Sequence, residues 1–356
     1  MKKKVLSAIL AGMFTLGSFS ISDAMSREEI SAIKVSKSGN FKYWEKNSEV
    51  KNKLVAYVKD VTNKSSKNFI PVEDRIATFD MDGTFLCETA PYYFEWMLYL
   101  DRALYDENFT PSQADRDYAK QIEDAIRNTG KFPKNVDVDE AKSQENVFAG
   151  MTPAEYETYV KNFMEKPVEG LTNLKWGEAF YLPMVEVIKY LQANDFTVYI
   201  VSGSDRPAVR ILACDLLKIK SNNVIGSDPK IISANQDEND GGNYVYQKND
   251  YLVRGHLIEK NLKMNKVSYI AKEIGKQPVL GFGNSSGDTS MLNYAVNGNK
   301  YKSEAFFVIC DDVERELGNI SKADKCRKLA VENGWNSISM RNDWKTIYGD
   351  NVQREK

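Results

Sequence analysis

Two carboxylates stand two residues apart at the end of an apolar run. The stretch "RIATFDMDGT", residues 75–84, leads from mostly apolar residues into Asp80 and Asp82, and Gly83 and Thr84 follow directly. If the chain turns at the glycine, both acids can face one site. One acid can then attack as a nucleophile while the other protonates a leaving group and later activates water. A phosphoryl group is a suitable electrophile, since aspartyl-phosphate is an established covalent intermediate.

Later segments offer groups that would help with phosphate charge. Ser202 and Gly203 end the apolar run "FTVYIVSG" and can donate a hydroxyl and a backbone N–H. Lys266 opens a helix-like segment and can neutralise phosphate. Lys260 and Lys263 are nearby competitors for that role, so the choice among the three lysines stays open.

The segment "GFGNSSGD", residues 281–288, ends a further apolar run with Asn284 and Asp288. Asn284 and Asp288 can complete a site of oxygen ligands for a hard divalent cation between the carboxylates and a phosphate.

The elements around these residues alternate between two patterns. Apolar runs at 196–205, 278–288 and 305–312 are typical of strands buried on both faces, as in parallel sheets. Helical patterns at 183–195 and 267–275 separate them. The alternation predicts an α/β fold with a doubly wound parallel sheet. Ligands bind outside the carboxyl ends of strands in such sheets, which is where the polar residues fall.

Residues 86–181 interrupt this alternation. They are rich in aromatic and charged residues and contain several helical patterns. We therefore predict a helical cap at 86–181, inserted into an α/β core formed by residues 25–85 and 182–356.

Two smaller segments also have a predicted structure. Residues 41–62 have apolar residues at helical spacing and predict an amphipathic helix. Residues 231–255 predict a β-hairpin that turns at Gly241 and Gly242.

The four motifs, in this order, resemble the haloacid dehalogenase superfamily, and within it the phosphoserine-phosphatase-like phosphohydrolases. The residues that carry the resemblance are Asp80–Thr84, Ser202-Gly203, Lys266 and "GFGNSSGD". The resemblance implies that Asp80 is the nucleophile and Asp82 the general acid and base. It also implies that the backbone carbonyl of Asp82 joins Asp80 on Mg²⁺. The segment from Trp44 through "FIPVEDRIATFDMDGTFLCETAPYY" looks like an exported bacterial branch of the superfamily.

The sequence departs from the family pattern at one position. The fourth motif usually carries acids where this chain has Asn284 and Asp288. An amide oxygen can bind Mg²⁺ but brings no charge, so either metal binding is weakened or Asp288 supplies the charge.

The residues after the first strand bear on the substrate. Five aromatic residues stand there: Tyr92, Tyr93, Phe94, Trp96 and Tyr99. With Glu88 or Glu95 they could form a cage for a quaternary ammonium, which would suit a phosphorylcholine phosphatase. The alternative is a cap helix that packs its aromatic face.

Two arginines follow the Ser-Gly pair one helical turn apart. Arg206 and Arg210 could grip a substrate carboxylate or second phosphate, or could form ordinary surface salt bridges. The residues predicted to contact substrate are Thr84, Gly203, Arg206, Tyr92 and Glu88.

The N-terminus has the pattern of a signal peptide. "MKKK" is followed by an apolar stretch and a small-residue site after Ala24, so residues 1–24 are predicted to be removed on export. An uncleaved anchor is the alternative. The net charge of −2 and the lack of a basic stripe argue against nucleic-acid binding.

The four cysteines show no metal-binding spacing. Export makes disulfides possible, and Cys310 and Cys326 could pair. Cys214 stands in an apolar helical pattern and is expected to be buried. The single histidine, His256, is expected at the surface.

The prediction is an exported, magnesium-dependent phosphomonoester hydrolase that acts on a small phosphorylated metabolite. One rival is a non-catalytic protein that binds a phosphate ligand. The other is a dehalogenase, although Asp82 argues against that chemistry.

Overall fold

The protein is described from a computed structural model, which covers residues 24–236 and 241–355. Within these ranges, seven strands form one sheet in the order β4-β3-β2-β1-β5-β6-β7. The strands are β1 (Ile76–Phe79), β2 (Thr197–Asp205), β3 (Val224–Ser233), β4 (Leu252–Glu259), β5 (Leu280–Gly283), β6 (Glu304–Ile309) and β7 (Asn336–Ser339). Strand β4 is antiparallel to β3, and all other pairs are parallel. The predicted doubly wound α/β fold is confirmed.

The helices lie between the strands and in the segment after β1. Within the described ranges they are α1 (Arg27–Ser31), α2 (Glu49–Thr62), α3 (Phe94–Leu100), α4 (Gln113–Asp124), α5 (Val136–Phe148), α6 (Pro153–Met164), α7 (Leu182–Ala193), α8 (Arg206–Leu217), α9 (Met264–Tyr269), α10 (Thr289–Val296), α11 (Ile320–Asn333) and α12 (Met340–Asp343). None of these helices has the length and apolar character needed to cross a membrane.

Apolar side chains cover both faces of the sheet. In β6, Phe306 packs into one core and its neighbour Phe307 into the other, because successive side chains of a strand point to opposite faces. Phe79, Phe282 and Phe306 stack across β1, β5 and β6, with ring centroids 4.1 and 5.1 Å apart. Burial on both faces accounts for the continuous apolar runs in the sequence.

Strand β1 occupies the position where the strand order reverses. The chain passes from β1 to β2 and β3 on one side, and then crosses to β5 and β6 on the other. The helices that follow β1 and β5 therefore lie on opposite sides of a crevice at the carboxyl end of β1, which is the usual ligand site in open α/β sheets.

The segment 86–181, predicted as a cap, contains α3 to α6. The chain extends α3 and α4 by π-helical turns, and Thr152 caps α6 by accepting a hydrogen bond from the backbone N–H of Glu155. Helix α5 packs against β4, and α6 packs against α8. The segment is thus attached to the sheet by packing as well as by its two chain connections.

Several local predictions were wrong in detail. The helix predicted over 41–62 begins only at Glu49, because the side chain of Ser48 caps it by accepting a hydrogen bond from the backbone N–H of Lys51. Trp44 lies outside the helix and forms an antiparallel β-bridge with Trp344. In place of the hairpin predicted at 231–255, the structure has the antiparallel pair of β3 and β4, whose strands extend beyond both ends of that range.

Pairing of β3 with β4 ends at Ser233 opposite Leu252, so the strands are joined by the long connection 234–251 and not by a tight turn at Gly241 and Gly242. Residues 237–240 of that connection lie outside the described ranges.

The disulfide that Cys310 and Cys326 could have formed is absent. All four cysteines fall within the described residues, and each is buried and free. The Sγ atom of Cys310 lies 4.0 Å from Asn319 O, and that of Cys326 lies 3.5 Å from Asn284 O. Cys214 is buried as expected. The predicted signal peptide, residues 1–24, lies outside the described ranges except for its last residue, Ala24.

Candidate active site

Strand β1 delivers Asp80 to the crevice. The backbone N–H of Asp80 still donates to Phe282 O of β5 at 2.9 Å, so the residue is held by the sheet. The chain then turns at Gly83, whose φ of +77° is strained for residues with a side chain. Gly83 N donates to Leu86 O at 2.7 Å and closes the turn. This turn places Asp80 and Asp82 at the same cavity.

Lys266 joins two buried carboxylates. Its Nζ lies 2.6 Å from Asp80 Oδ1 and 2.7 Å from Asp288 Oδ1, and all three side chains are at most 10% exposed. Of the three candidate lysines, only Lys266 makes these contacts within the described residues. Lys263 is exposed, and Lys260 pairs with carboxylates of the inserted segment. One ammonium therefore fixes the orientation of Asp80 toward the cavity.

The two acids of the first motif differ in environment. Burial and the nearby charge of Asp288 raise the pKa of Asp80 to about 7, although Lys266 opposes the increase. Burial raises the pKa of Asp82 well above its usual range, and the charge of Asp80 adds to this effect. Ser204 Oγ donates to Asp82 Oδ2 at 2.8 Å and partly opposes the increase. Asp82 is thus the acid of the pair that keeps its proton at neutral pH and has one available to donate.

Thr84 and Ser202 are fully buried and do not line the cavity. Thr84 Oγ1 donates to Asp80 Oδ2 at 3.3 Å, so it orients the carboxylate and was wrongly predicted to contact substrate. Ser202 Oγ accepts from the backbone N–H of Ser204 at 3.0 Å. The hydroxyl that reaches the site from β2 belongs to Ser204, which was not among the predicted site residues. Gly203 does line the cavity.

Glu88 lies beside Asn284. Asn284 Nδ2 donates to Glu88 Oε2 at 2.9 Å, and the other oxygen of Glu88 accepts from Lys322 of α11. Glu88 is 3% exposed, and all three side chains line the cavity. Burial lowers the pKa of Lys322, but the charge and hydrogen bond of Glu88, together with the nearby Cys310 and Cys326, raise it above its usual value. Lys322 was not found from the sequence.

The cavity has a volume of about 760 Å³. Residues at the carboxyl ends of the central strands and residues of α3 and α11 line it. Of the five aromatic residues predicted as a cage, Tyr93 and Trp96 line it. Tyr92, predicted to contact substrate, does not line the cavity and packs on Phe132, with ring centroids 5.3 Å apart. Phe94 and Tyr99 are buried inside the inserted segment, where helix packing determines their position. The complete aromatic cage is therefore absent.

Arg206 does not line the cavity, contrary to prediction. Its guanidinium donates to Asp228 at 2.8 Å and to Glu273 at 2.7 Å. Arg206 therefore forms ordinary ion pairs, which was the alternative to a substrate contact. Arg210 Nε donates to Ser221 O at 2.9 Å and makes no substrate site either. His256 is exposed, as expected.

A second buried ion network attaches the inserted segment to the sheet. Arg254 of β4 donates to Glu145 of α5 at 2.6 Å and to Asp205 at 3.1 Å, with all three side chains at most 2% exposed. Glu95 of α3 accepts from Lys260 at 3.1 Å and from the backbone N–H of Asp205 at 3.1 Å. No short sequence motif signals this network, because its members come from distant segments.

The resemblance implies Mg²⁺, and the donors near Asp80 suit that cation. In the described part of the chain, no group of three or more His, Cys, Asp and Glu is placed to hold a metal. Asp288 was predicted as a ligand, but its Oδ1 accepts from Lys266, while its Oδ2 accepts from the backbone N–H groups of Asn284 and Ser285 at 3.1 Å.

The remaining donors are the Asp80 carboxylate, the Asn284 amide oxygen and the Asp82 carbonyl. These are hard oxygen ligands, and Mg²⁺ commonly completes such a set with water. A Cβ at Gly83 would lie 1.9 Å from Asn284 Nδ2. The glycine thus keeps open the space beside these donors, and the residues present fit the ion.

Comparison with known proteins places this site in a family. Residues 77–293, more than half of the chain, match the model of the haloacid dehalogenase-like hydrolases. The matched region includes all four motifs. No curated protein gives a match to this sequence.

Solved structures are similar to this chain at low sequence identity. A conserved, functionally unknown protein from Anaerococcus prevotii DSM 20548 is 16% identical, with a TM-score of 0.52 over 85% of this chain and 94% of that one. A protein of unknown function from Bordetella pertussis Tohama I is 15% identical, with a TM-score of 0.49 over 74% and 97%. Cytosolic 5'-nucleotidase IIIB bound to cytidine is 12% identical, with a TM-score of 0.46 over 82% and 85%.

Proposed function

Because the chain belongs to the haloacid dehalogenase-like hydrolases, we propose that it hydrolyses phosphate monoesters through an aspartyl-phosphate on Asp80. The observation that carries this proposal is the pair of acids with different roles at one cavity. Lys266 orients Asp80, and burial holds a proton on Asp82. A phosphate ester needs both groups, because its alkoxide leaving group must be protonated.

The reaction proceeds in two steps. The carboxylate of Asp80 attacks phosphorus, the ester P–O bond breaks, and Asp82 gives its proton to the leaving oxygen. Asp82, now a carboxylate, then takes a proton from a water molecule that attacks the aspartyl-phosphate, so inorganic phosphate and free Asp80 are released. Ser204 and the backbone of Gly203 face the same cavity and are suited to contact phosphoryl oxygens.

Magnesium is part of the proposal. Bound by Asp80, Asn284 and the Asp82 carbonyl, it would offset the negative charge that a phosphoryl group brings to two carboxylates. The ammonium of Lys266 is already shared between Asp80 and Asp288, so it cannot neutralise this added charge alone.

Halide displacement is less well supported. A halide leaves without a proton, so a dehalogenase has no use for a protonated acid at position 82. The environment of Asp82 favours the neutral acid. The site therefore supports phosphoryl transfer to water better than cleavage of a carbon–halogen bond.

A cationic substrate such as phosphorylcholine is a second candidate. Tyr93 and Trp96 line the cavity with Glu88 and Glu95, and aromatic faces with nearby carboxylates bind quaternary ammonium groups. Export to a periplasm or to the outside of the cell, after removal of residues 1–24, remains part of the proposal and rests on the sequence pattern.

Phosphate release by the purified protein tests the reaction. The substrates are p-nitrophenyl phosphate, phosphorylcholine and phosphoserine, each with Mg²⁺ and with chelator. Asp80→Asn should lower the turnover by at least about 10³-fold, because removing a nucleophile removes the covalent route. Asp74→Asn, which changes an aspartate outside the cavity, is the control and should retain turnover.

Near-normal activity of Asp80→Asn would refute the mechanism. Binding of phosphate ligands without any product from the wild-type protein would instead favour a non-catalytic binding protein.

A further inference from the structure

The predicted Mg²⁺ site carries less negative charge than the resemblance implies. Position 284 carries an amide, and both oxygens of Asp288 are already engaged, Oδ1 by an ammonium and Oδ2 by two backbone N–H groups. Asp80 is then the one carboxylate among the predicted donors. A divalent cation held by one carboxylate, one amide and one carbonyl would keep an excess positive charge in a buried place.

Glu88 lies where this missing charge is needed. Its Oε2 is 2.9 Å from Asn284 Nδ2, and the side chain is 3% exposed. The two residues are 196 positions apart in the chain, so the turn after β1 brings Glu88 to the motif from a different segment.

The turn leaves room for this approach only because position 83 is glycine. A Cβ there would lie 2.6 Å from Glu88 Oε2 and 1.9 Å from Asn284 Nδ2. Thr84 Oγ1, which contacts Asp80 Oδ2 at 3.3 Å, is also 3.5 Å from Asn284 Oδ1. Glu88 therefore contacts the nitrogen end of the Asn284 amide, Thr84 joins the oxygen end to the nucleophile, and Asp80, Glu88 and Asn284 all line the same cavity.

We propose that Glu88 provides the carboxylate ligand that replaces the missing acid at position 284. Lys322 balances the charge of Glu88 when no metal is bound. The Asn284 amide can present either end, because the Thr84 hydroxyl can donate to its oxygen or accept from its nitrogen. The inference rests on the proposed function, since the metal belongs to that reaction.

Binding of Mn²⁺ tests the role of Glu88 without any assay of turnover. Mn²⁺ prefers the same octahedral oxygen sites as Mg²⁺, and electron paramagnetic resonance measures the unbound ion. Glu88→Gln should weaken Mn²⁺ binding by about 10-fold or more, a typical loss when a metal site loses a supporting carboxylate. Glu95→Gln is the matched control. It alters a second carboxylate of the same cavity, paired with Lys260, and should leave the affinity for Mn²⁺ unchanged.

Two further variants complete the test. Asn284→Asp introduced into Glu88→Gln should restore binding, because the charge returns on the neighbouring side chain. Lys322→Met should strengthen binding in the otherwise unchanged protein, because the ammonium competes with the cation for Glu88. This second variant keeps the test decisive if Glu88→Gln fails to fold, which circular dichroism would show.

Wild-type Mn²⁺ affinity in Glu88→Gln, no restoration by Asn284→Asp, or unchanged binding in Lys322→Met would each overturn the assignment. Metal-independent hydrolysis of p-nitrophenyl phosphate by a protein that binds no Mn²⁺ would overturn it as well, together with the role proposed for magnesium, while leaving the aspartyl-phosphate route on Asp80 intact. Glu88→Gln with normal Mn²⁺ affinity and a raised KM for phosphorylcholine would assign Glu88 to the substrate instead.

Discussion

Lys266→Met should destabilise the protein in a pH-dependent way. The ammonium makes two charge-assisted contacts, 2.6 and 2.7 Å long, to carboxylates that are 10% and 2% exposed. Removing one partner of a buried ion pair typically costs about 3–5 kcal/mol, because the remaining charge is left uncompensated. We expect a loss of this size in the free energy of unfolding at pH 8.

The loss should shrink at lower pH. Without Lys266, the pKa of Asp80 in the folded protein, which burial and the charge of Asp288 already raise to about 7, rises further above its unfolded value near 4. The folded variant then binds a proton that the unfolded state does not over a wider pH range than the wild type does, so the variant gains more stability as the pH falls. Protonation of Asp80 recovers about 1.4 kcal/mol per pH unit below its folded pKa.

Urea unfolding of the variant and the wild type at pH 8 and pH 5 measures both effects. Lys276→Met is the control, because Lys276 forms an exposed pair with Asp74 and is itself 45% exposed. It should cost less than about 1 kcal/mol at either pH. A Lys266→Met loss below about 1 kcal/mol at pH 8, or an equal loss at both values, would refute the reasoning.

Three further predictions concern the acids, the turn and the thiols. Ser204→Ala removes a hydrogen bond that stabilises ionised Asp82, so the alkaline limb of the pH–rate profile should move up by about one unit; a downward shift would contradict this. Gly83→Ala should destabilise the protein by more than about 2 kcal/mol, because a positive φ and a clash with Asn284 add together, whereas Gly130→Ala, with an open surrounding, should cost only about 1 kcal/mol in urea unfolding. Titration of the unfolded, unreduced protein with a thiol reagent should give four thiols per chain, and a count of two would reveal a disulfide.

The doubly wound α/β fold and the edge of the sheet that carries the polar motifs could be predicted from the sequence. Strands buried on both faces require continuous apolar runs, and their carboxyl ends meet at one edge of a parallel sheet. Asp80 and Asp288 each follow such a run, so their approach to one site follows from the pattern, whereas Lys266 was one of three lysines among which the pattern did not choose.

Irregular backbone limited the prediction at β2. The sequence pattern predicts Ser202 at the site. In the structure, the register of β2 against β3 shifts between Val201 and Asp205, and the hydroxyl that contacts Asp82 belongs to Ser204. A pattern with a period of two residues cannot locate such an irregularity.

Only the tertiary structure decided which charges became partners. Arg206 pairs with Asp228 and Glu273 instead of facing the cavity, and Glu88 meets Asn284 across 196 positions of the chain. Hydrophobic periodicity reports which face of an element is buried and where the element ends. It carries no information on which distant segments are brought together. Buried charges pair with partners from those distant segments, because burying a charge without a partner costs too much free energy.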